Sequence, residues 1–394
     1  MIKDLPFLRL WCGTTASGLA TWALPFILGL AVLDGTLTAA GLGIVLAART
    51  VGFLIAVPVG GVLADRYTRR AVVLTSGLAA ATASPLIAYG LGRSVVLMSL
   101  AAAIAGAGQG AARPALQALT AEIVDEGRRQ QANAAITLAV RVTTLVAPAM
   151  TALLALALDI WMLLIGTGVL WLLAALLPPR GTGTTSAYSG GFWTEFTEGI
   201  GEARRHPWFL AGLGALAAVI FTGYSVTGVA LPLASRDHYS TEAVLAGAMT
   251  AYTLGALAGA VLMARWRPRA QGWAALAGLS LYGLVPLSLL SPVHPVVVLV
   301  AYALAGVGIE LFNVPWFTAA QREVRPRLLA RVSSLDFLVS YGFAPVGLAL
   351  LAPAIDNFGW KPVLAVCAVV CFLGPAVAAL APSSRRFSRN VVTQ

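Results

Sequence analysis

The sequence is short of charge. Only 11% of its 394 residues are Asp, Glu, Lys or Arg, against 59% hydrophobic, where soluble domains carry roughly 25% charged residues. A deficit of that size argues against a string of soluble domains and for an integral membrane protein. Histidine and cysteine are scarce as well, at three each. Cys12, Cys367 and Cys371 all fall in apolar runs with no histidine nearby, so no zinc-type spacing is present. They read as small core hydrophobes, although Cys367 and Cys371 are four apart and share one helix face. Lysine is nearly missing: of 26 basic residues only Lys3 and Lys361 are lysines. Together with abundant Ala and Gly, that bias suggests a GC-rich bacterial genome. The net charge of +10 does not point to nucleic acid, because the basic residues sit in short clusters between apolar runs. Gly106, Gly108 and Gly110 resemble a phosphate loop only superficially, since no Lys-Ser/Thr follows and no strand precedes. No nucleotide site, cofactor or metal is therefore expected, and no Ser/His/Asp set suggests an enzyme.

Long apolar runs are what the chain has in quantity. A spanning helix needs about 20 mostly apolar residues, and twelve candidates are found. Six lie near 10–33, 39–64, 71–90, 94–112, 132–157 and 160–177. Six more lie near 208–232, 243–264, 272–291, 294–318, 332–353 and 362–381. The first run is too long for a signal peptide and reads as an uncleaved helix. With the N-terminus placed in the cytoplasm, 21 basic residues fall in the inside segments. Only Arg93, Arg236 and Lys361 fall outside, and Arg49 and Arg141 lie within spans. That alternation supports both the span count and cytoplasmic termini. The expected organisation is a six-helix bundle over 1–177, a cytoplasmic linker over 178–207, a second bundle over 208–381 and a cytoplasmic tail over 382–394. Residues 192–206 of the linker suit a short amphipathic helix.

The two halves echo each other. Gly61-Val62-Leu63-Ala64-Asp65-Arg66-Tyr67-Thr68-Arg69-Arg70 returns, offset by 199, as Ala260-Val261-Leu262-Met263-Ala264-Arg265-Trp266-Arg267-Pro268-Arg269. A second echo, at an offset of 197, pairs Val146–Ala155 with Phe343–Ala352 and includes Pro148 and Pro345. Copies six spans apart have the same orientation, so these are parallel repeats of the kind found in transporters.

At these residues the chain resembles the major facilitator superfamily. The loop Gly61-x-Leu63-Ala64-Asp65-Arg66-x-x-Arg69-Arg70 is similar to that family's cytoplasmic motif, with Thr68 where Gly is usual. Arg113-Pro114-Ala115 after the fourth span, Gln131-Ala132-Asn133-Ala134 opening the fifth and Arg331-Val332-Ser333-Ser334-Leu335-Asp336 opening the eleventh resemble a bacterial subgroup. That subgroup comprises drug, macrolide-efflux and enterobactin-exporter-like proteins. The resemblance implies an all-α fold of twelve transmembrane helices in two bundles, exporting a small amphipathic compound by proton exchange. It also implies a bacterial cytoplasmic membrane location and a central cavity lined by spans 1, 4, 7 and 10. Helix 4 lacks the Arg that many proton antiporters carry, and Ala147-Pro148-Ala149-Met150-Thr151 is a reduced form of their Gly-Pro pattern. An uptake symporter on the same fold is the alternative, and a membrane sensor a more distant one. A monomer is expected.

Charges inside a bilayer are costly and mark function or pairing. Glu310 and Asp336 are the proton-coupling candidates, with Arg49 and Arg141 as their intramembrane charge partners. Counting 1.5 Å per residue puts Arg49 roughly 15 Å from either end of its helix, Glu310 about 12 Å from the cytoplasmic end and Asp336 about 7–10 Å. Gly61, Asp65, Arg66, Arg69 and Arg70 form the expected cytoplasmic gate, with Asp65 accepting from Arg69 or Arg70 and facing a helix N-terminus. The second copy has Ala264 in the place of Asp65, so its latch should be weaker. Trp22, Gln109, Phe221, Tyr224, Asn313 and Trp316 are candidates to line the substrate cavity, suited to a large, mainly apolar ligand.

Overall fold

The computed structural model describes residues 4–181 and 191–388. Lys3, Arg389, the linker stretch 182–190 and the tail beyond 388 lie outside the described residues. The helices are α1 Leu5–Leu33, α2 Ala39–Arg66, α3 Arg69–Gly90, α4 Val95–Ile123, α5 Arg129–Leu154, α6 Ile160–Leu176, α7 Phe192–Arg204, α8 Pro207–Val219 and α9 Ser225–Asp237. They continue with α10 Ala243–Arg265, α11 Gln271–Ser280, α12 Leu284–Ser288, α13 Pro295–Glu323, α14 Leu329–Phe358 and α15 Trp360–Leu380. Among the described residues ten helical segments are long and apolar enough to cross a membrane. Large apolar side chains such as Ile55, Val96, Leu100 and Val377 stay exposed along them, as expected where the solvent is lipid.

Two expected spans take a different form. The run near 160–177 yields α6, a shorter helix of 17 residues. The run near 272–291 is broken: α11 ends at Ser280, a 3-10 turn covers Leu281–Gly283, and α12 stops at Ser288. Pro286 cannot donate to the ladder, and Gly283 lies flat against the Phe372 ring, where a Cβ would come within 2.7 Å. A π turn over Ile220–Tyr224 joins α8 to α9.

Several helices outrun their apolar stretches at the arginine-rich end. The fourth span was expected to stop near 112 with Arg113-Pro114-Ala115 beyond it; instead α4 carries all three and continues to Ile123. A proline inside a spanning helix is tolerated when neighbouring groups take up the freed carbonyl. Positive side chains then cap the carbonyl ends. Arg129 donates to the carbonyls of Ala121 (3.0 Å) and Val124 (3.4 Å), and Arg70 to those of Ala175 (2.6 Å) and Leu176 (3.1 Å). Arg9 donates to Leu177 (3.0 Å). Each places a cation on the negative end of a helix dipole.

Contacts divide the chain into two compact units. One holds Met1–Ala132, Ala139–Ile200 and Arg325–Leu338; the other holds Asn133–Leu138, Gly201–Val324 and Val339–Gln394. In the first unit α2 lies directly on α4. A Cβ on Gly106 would fall onto the Arg49 carbonyl oxygen, and one on Gly110 onto that of Phe53. In the second unit α10 lies on α13 in the same manner, with Gly306 against the Tyr252 carbonyl and Gly255 against that of Ala303. Gly106 and Gly306 thus mark one pattern: Ala103, Ala105, Gly106 and Gly108 recur as Ala303, Ala305, Gly306 and Gly308, offset by 200. The repeat is therefore a packing device, in which small residues let two backbones approach closely where lipid offers no hydrophobic driving force. The first unit's core runs through Leu24, Leu28, Ile87, Met98 and Trp171. The second contains an aromatic cluster in which Trp316 stacks on Phe209 (4.8 Å) and Phe312 (5.1 Å) and meets Trp208 edge-on (5.5 Å).

Gly106→Val and Gly306→Val should each destabilise the protein by at least about 1–3 kcal/mol through overpacking. Gly43→Ala should be neutral, since no atom lies within 4 Å of its added Cβ. Thermal melts read by size-exclusion chromatography check this, and an unshifted Gly106→Val melt would contradict the packing.

Candidate functional site

The gate motif straddles the end of α2 and the start of α3. Tyr67 closes α2 in extended backbone, and Thr68, also extended, accepts from the Ala71 N–H (3.2 Å) as N-cap of α3. Thr68 has φ of −67°, a conformation any residue adopts, so the usual glycine is dispensable and a hydroxyl cap takes its place.

Asp65 is 6% exposed and points at the first turn of α14. Its Oδ2 accepts the Arg331 backbone N–H at 3.2 Å and lies 3.4 Å from the Arg331 Nε. The carboxylate therefore satisfies an orphan donor of the first turn and sits at the positive end of the helix. Gly61, one turn back, makes room for this: a Cβ there would come within 2.8 Å of the Ser334 side chain. The expected partners differ. Asp65 pairs with Arg331, and neither Arg69 nor Arg70 donates to it among the hydrogen bonds of the described residues. Arg69 acts on Asp65 through its charge, without a hydrogen bond. Arg69 donates instead to Glu122 at the end of α4 and to the Pro326 carbonyl. Arg70 caps α6, as above.

Arg331 is the hub, 5% exposed. Its Nη1 donates to Glu198 Oε2 (2.8 Å) and to the Glu195 carbonyl (3.1 Å), and its Nη2 donates to Glu195 Oε2 (3.2 Å). The other oxygen of Glu195 accepts from Arg66 Nη2 at 2.7 Å. The helix expected over 192–206 is α7, and its Glu195 is completely buried between two guanidinium groups. Gly199, one turn further along α7, lies against Arg331, where a Cβ would come within 2.7 Å of the Arg331 Cβ. Asp65, Arg66, Glu195, Glu198 and Arg331 thus form one charge network inside the first unit. Sequence reasoning missed Glu195, Glu198 and Glu122. A carboxylate on the amphipathic linker helix was visible, but its partner lies more than a hundred residues away.

The counterpart in the second unit is uncharged. Asn133, near the start of α5, donates through Nδ2 to Thr318 Oγ1 (2.9 Å) and Gln321 Oε1 (2.9 Å). Gln321 returns a bond from Nε2 to Asn133 Oδ1 (3.2 Å). Ala134 packs on Met263 and Val314 beside it.

The remaining candidates divide between the units. In the first, Arg49 donates through Nη2 to Gln109 Oε1 (2.8 Å) and to the Thr21 carbonyl (3.3 Å). This brings α1, α2 and α4 together around one guanidinium. Trp22 is 41% exposed next to that point, and Arg141 is half-buried. Asp336 is buried in the part of α14 that belongs to this unit. In the second unit Glu310 is fully buried on α13, with its Cβ against Gly259 of α10. Asn313 and Phe221 are half-buried, and Tyr224 is exposed at the π turn, a backbone feature frequent at functional positions. Trp316 is 1% exposed and belongs to the aromatic core; its size fills the junction of α8 and α13. Beside the π turn Thr222 Oγ1 lies 3.2 Å from the buried Cys371 Sγ, and Tyr252 meets the Tyr282 ring edge-on at 6.0 Å.

A multi-pass helical chain with parallel repeats and buried charge networks is a membrane transporter fold. The Major Facilitator Superfamily matches residues 10–347, and the chain belongs to that family; it is a transporter of small molecules and not an enzyme. Among solved structures it is similar to the human organic anion transporter MFSD10 (TM-score 0.76, 17% identity, covering 94% of this chain and 98% of that one). It is also similar to a bacterial homologue of the iron transporter ferroportin in its outward-facing state (TM-score 0.73, 16% identity, 96% and 98%). A third is the E. coli fucose:proton symporter (TM-score 0.71, 15% identity, 95% and 98%). No curated protein matches the chain.

Removing one member of a buried ion pair costs about 3–5 kcal/mol because the other charge is left uncompensated. Asp65→Ala and Arg331→Ala should each lower the melting temperature strongly, and the double variant should lose less than the sum. Additive losses in a double-mutant cycle would mean that the pair does not couple.

Proposed function

We propose that the chain is a secondary active transporter of twelve spanning segments that exports a small amphipathic compound by alternating access coupled to protons. The twelve comprise the ten long apolar helices, α6 and the broken segment of α11 and α12. Bundles over 1–177 and 208–381, joined by the 178–207 linker with both termini in the cytoplasm of a bacterial cell, agree with the 21 basic residues on one side.

The observation that carries the reading is the Asp65–Arg331–Glu195 network. It ties the motif loop of the first sequence half to the start of α14 in the second half, with hydrogen-bonded charges and a helix dipole. Such a contact holds firmly when closed and is released into water when broken, as a two-state element of a transport cycle must be. The neutral Asn133–Gln321 pair supports a second, softer latch at the corresponding place.

Glu310 is the residue we assign to proton coupling. A fully buried carboxylate on the tenth span changes proton affinity when its surroundings alternate between wet and dry. Asp336 is the second candidate, with Arg141 as a further intramembrane charge of the same unit. Arg49 offers a cation on the second span, fixed by Thr21 of the first and Gln109 of the fourth. Trp22, Phe221, Asn313 and the exposed Tyr224 supply the aromatic and amide surface that an amphipathic ligand needs. Export rather than uptake rests on the resemblance of Arg113-Pro114-Ala115, Gln131-Ala132-Asn133-Ala134 and Arg331–Asp336 to exporters.

Everted vesicles containing the protein should accumulate amphipathic compounds when the lumen is acid, protons leaving as the compound enters. Glu310→Gln should remove the gradient dependence while leaving ligand binding in place. Gradient-driven uptake at the wild-type rate in that variant would sink the assignment, and uptake by right-side-out vesicles instead would establish the symporter alternative.

A further inference from the structure

We propose that the incomplete second copy of the motif loop, Arg265–Arg269, is a binding site for an anionic phospholipid. The proposal rests on membrane embedding alone and is independent of the direction of transport.

The loop separates two concavities in the second unit. On its helix side an open groove of about 650 Å³ runs along α10, lined by Leu257, Ala258, Val261 and Leu262 and ended by Arg265 and Trp266. Ala258, Val261 and Leu262 are exposed, and Trp266 at the end of an apolar face is a typical interfacial side chain. On the other side, beginning at Pro268, a pocket of about 450 Å³ is lined by Arg269, Arg322 and Arg386 with Gln271, Ser388 and Glu323. Three guanidinium groups against one carboxylate leave the pocket positive. Glu323 is engaged with Arg322 at 2.8 Å, and one carboxylate cannot neutralise three guanidinium groups.

The pocket is held in shape. Arg322 also donates to the carbonyls of Arg386 (3.4 Å) and Phe387 (3.3 Å). Phe387 is completely buried and meets Trp208 (5.2 Å), Trp316 (5.6 Å) and Phe312 (6.4 Å). Gly272 leaves the room this tail requires, since a Cβ would fall onto the Ser384 carbonyl. The post-helical tail is thereby anchored, and Arg386 is presented beside Arg269 and Arg322.

An acyl groove ending in Arg and Trp, next to a fixed cluster of arginines, fits a lipid with a net negative headgroup. A zwitterionic lipid would fill the groove without answering the positive pocket, and a free phosphate would answer the pocket without using the groove. The comparison with the first copy gives the chemistry a purpose. There Asp65 supplies the negative charge at the loop; here Ala264 stands in that position, no acidic residue lies between 264 and 269, and the lipid phosphate supplies it from outside the chain.

The test titrates the full-length protein in non-ionic detergent with phosphatidylglycerol or phosphatidylcholine of equal chain length. Binding is read by native mass spectrometry and thermal midpoint, with inorganic phosphate as a third titrant. Phosphatidylglycerol should bind at least about tenfold more tightly than phosphatidylcholine. Arg269→Gln with Arg386→Gln should erase that preference, while the charge-matched pair Arg128→Gln and Arg204→Gln, both exposed, should keep it. Ala258→Phe, which fills the groove, should weaken phosphatidylglycerol binding. Equal affinity for the two lipids, or an equal loss in the charge-matched pair, would overturn the proposal. So would displacement of phosphatidylglycerol by millimolar phosphate, which would make the pocket a free-anion site.

Discussion

A carboxylate buried at the end of a membrane helix must be answered by positive charge and by hydrogen-bond donors, or it is untenable. Asp65 is in that position, and much of the first unit is arranged around it. The start of α14 supplies a backbone N–H and the side chain of Arg331. Arg331, then buried itself, needs acceptors, and α7 supplies them through Glu195 and Glu198. Glu195 in turn takes the remaining arginine of the motif, Arg66. Each partner is required by the desolvation of the one before, so a short loop motif recruits a linker helix and a helix from the far half of the chain.

The second unit solves the same geometric problem without charge. Its helix pair α10 and α13 repeats the glycine packing of α2 and α4, yet the motif residue is Ala264, and an amide pair, Asn133 with Gln321, takes the place of the ion network. Neutral hydrogen bonds between membrane helices are worth about 0.6–2 kcal/mol, less than a buried ion pair costs to break. Two repeats with one backbone plan therefore differ in how firmly their ends are held.

How much of this was legible follows from the range of each force. The repeat could be read because packing small residues against backbone demands Ala and Gly at set spacings. The length of α4 could not, because its last eleven residues are polar enough to end an apolar count, and they remain helical by capping from Arg129. That extension is what carries Glu122 to Arg69. Asp65 stood out as a site residue beside Arg69, whose charge acts on it, but its hydrogen-bond partner is Arg331, 266 residues further along the chain. Trp316 has the chemistry of a cavity residue and the place of a core one, and only its stacking on Phe209 and Phe312 separates the two.

The sequence by itself determined that the chain lives in a membrane and that its two halves echo each other. Hydropathy, periodicity and charge bias act residue by residue along a chain, so they are written in the order of the letters. The tertiary structure alone decided which charge answers which: Asp65 with Arg331, Arg66 with Glu195, Arg49 with Gln109. Those pairings depend on where helices from distant parts of the chain end relative to one another, and a buried charge accepts whichever partner the packing brings within about 3 Å.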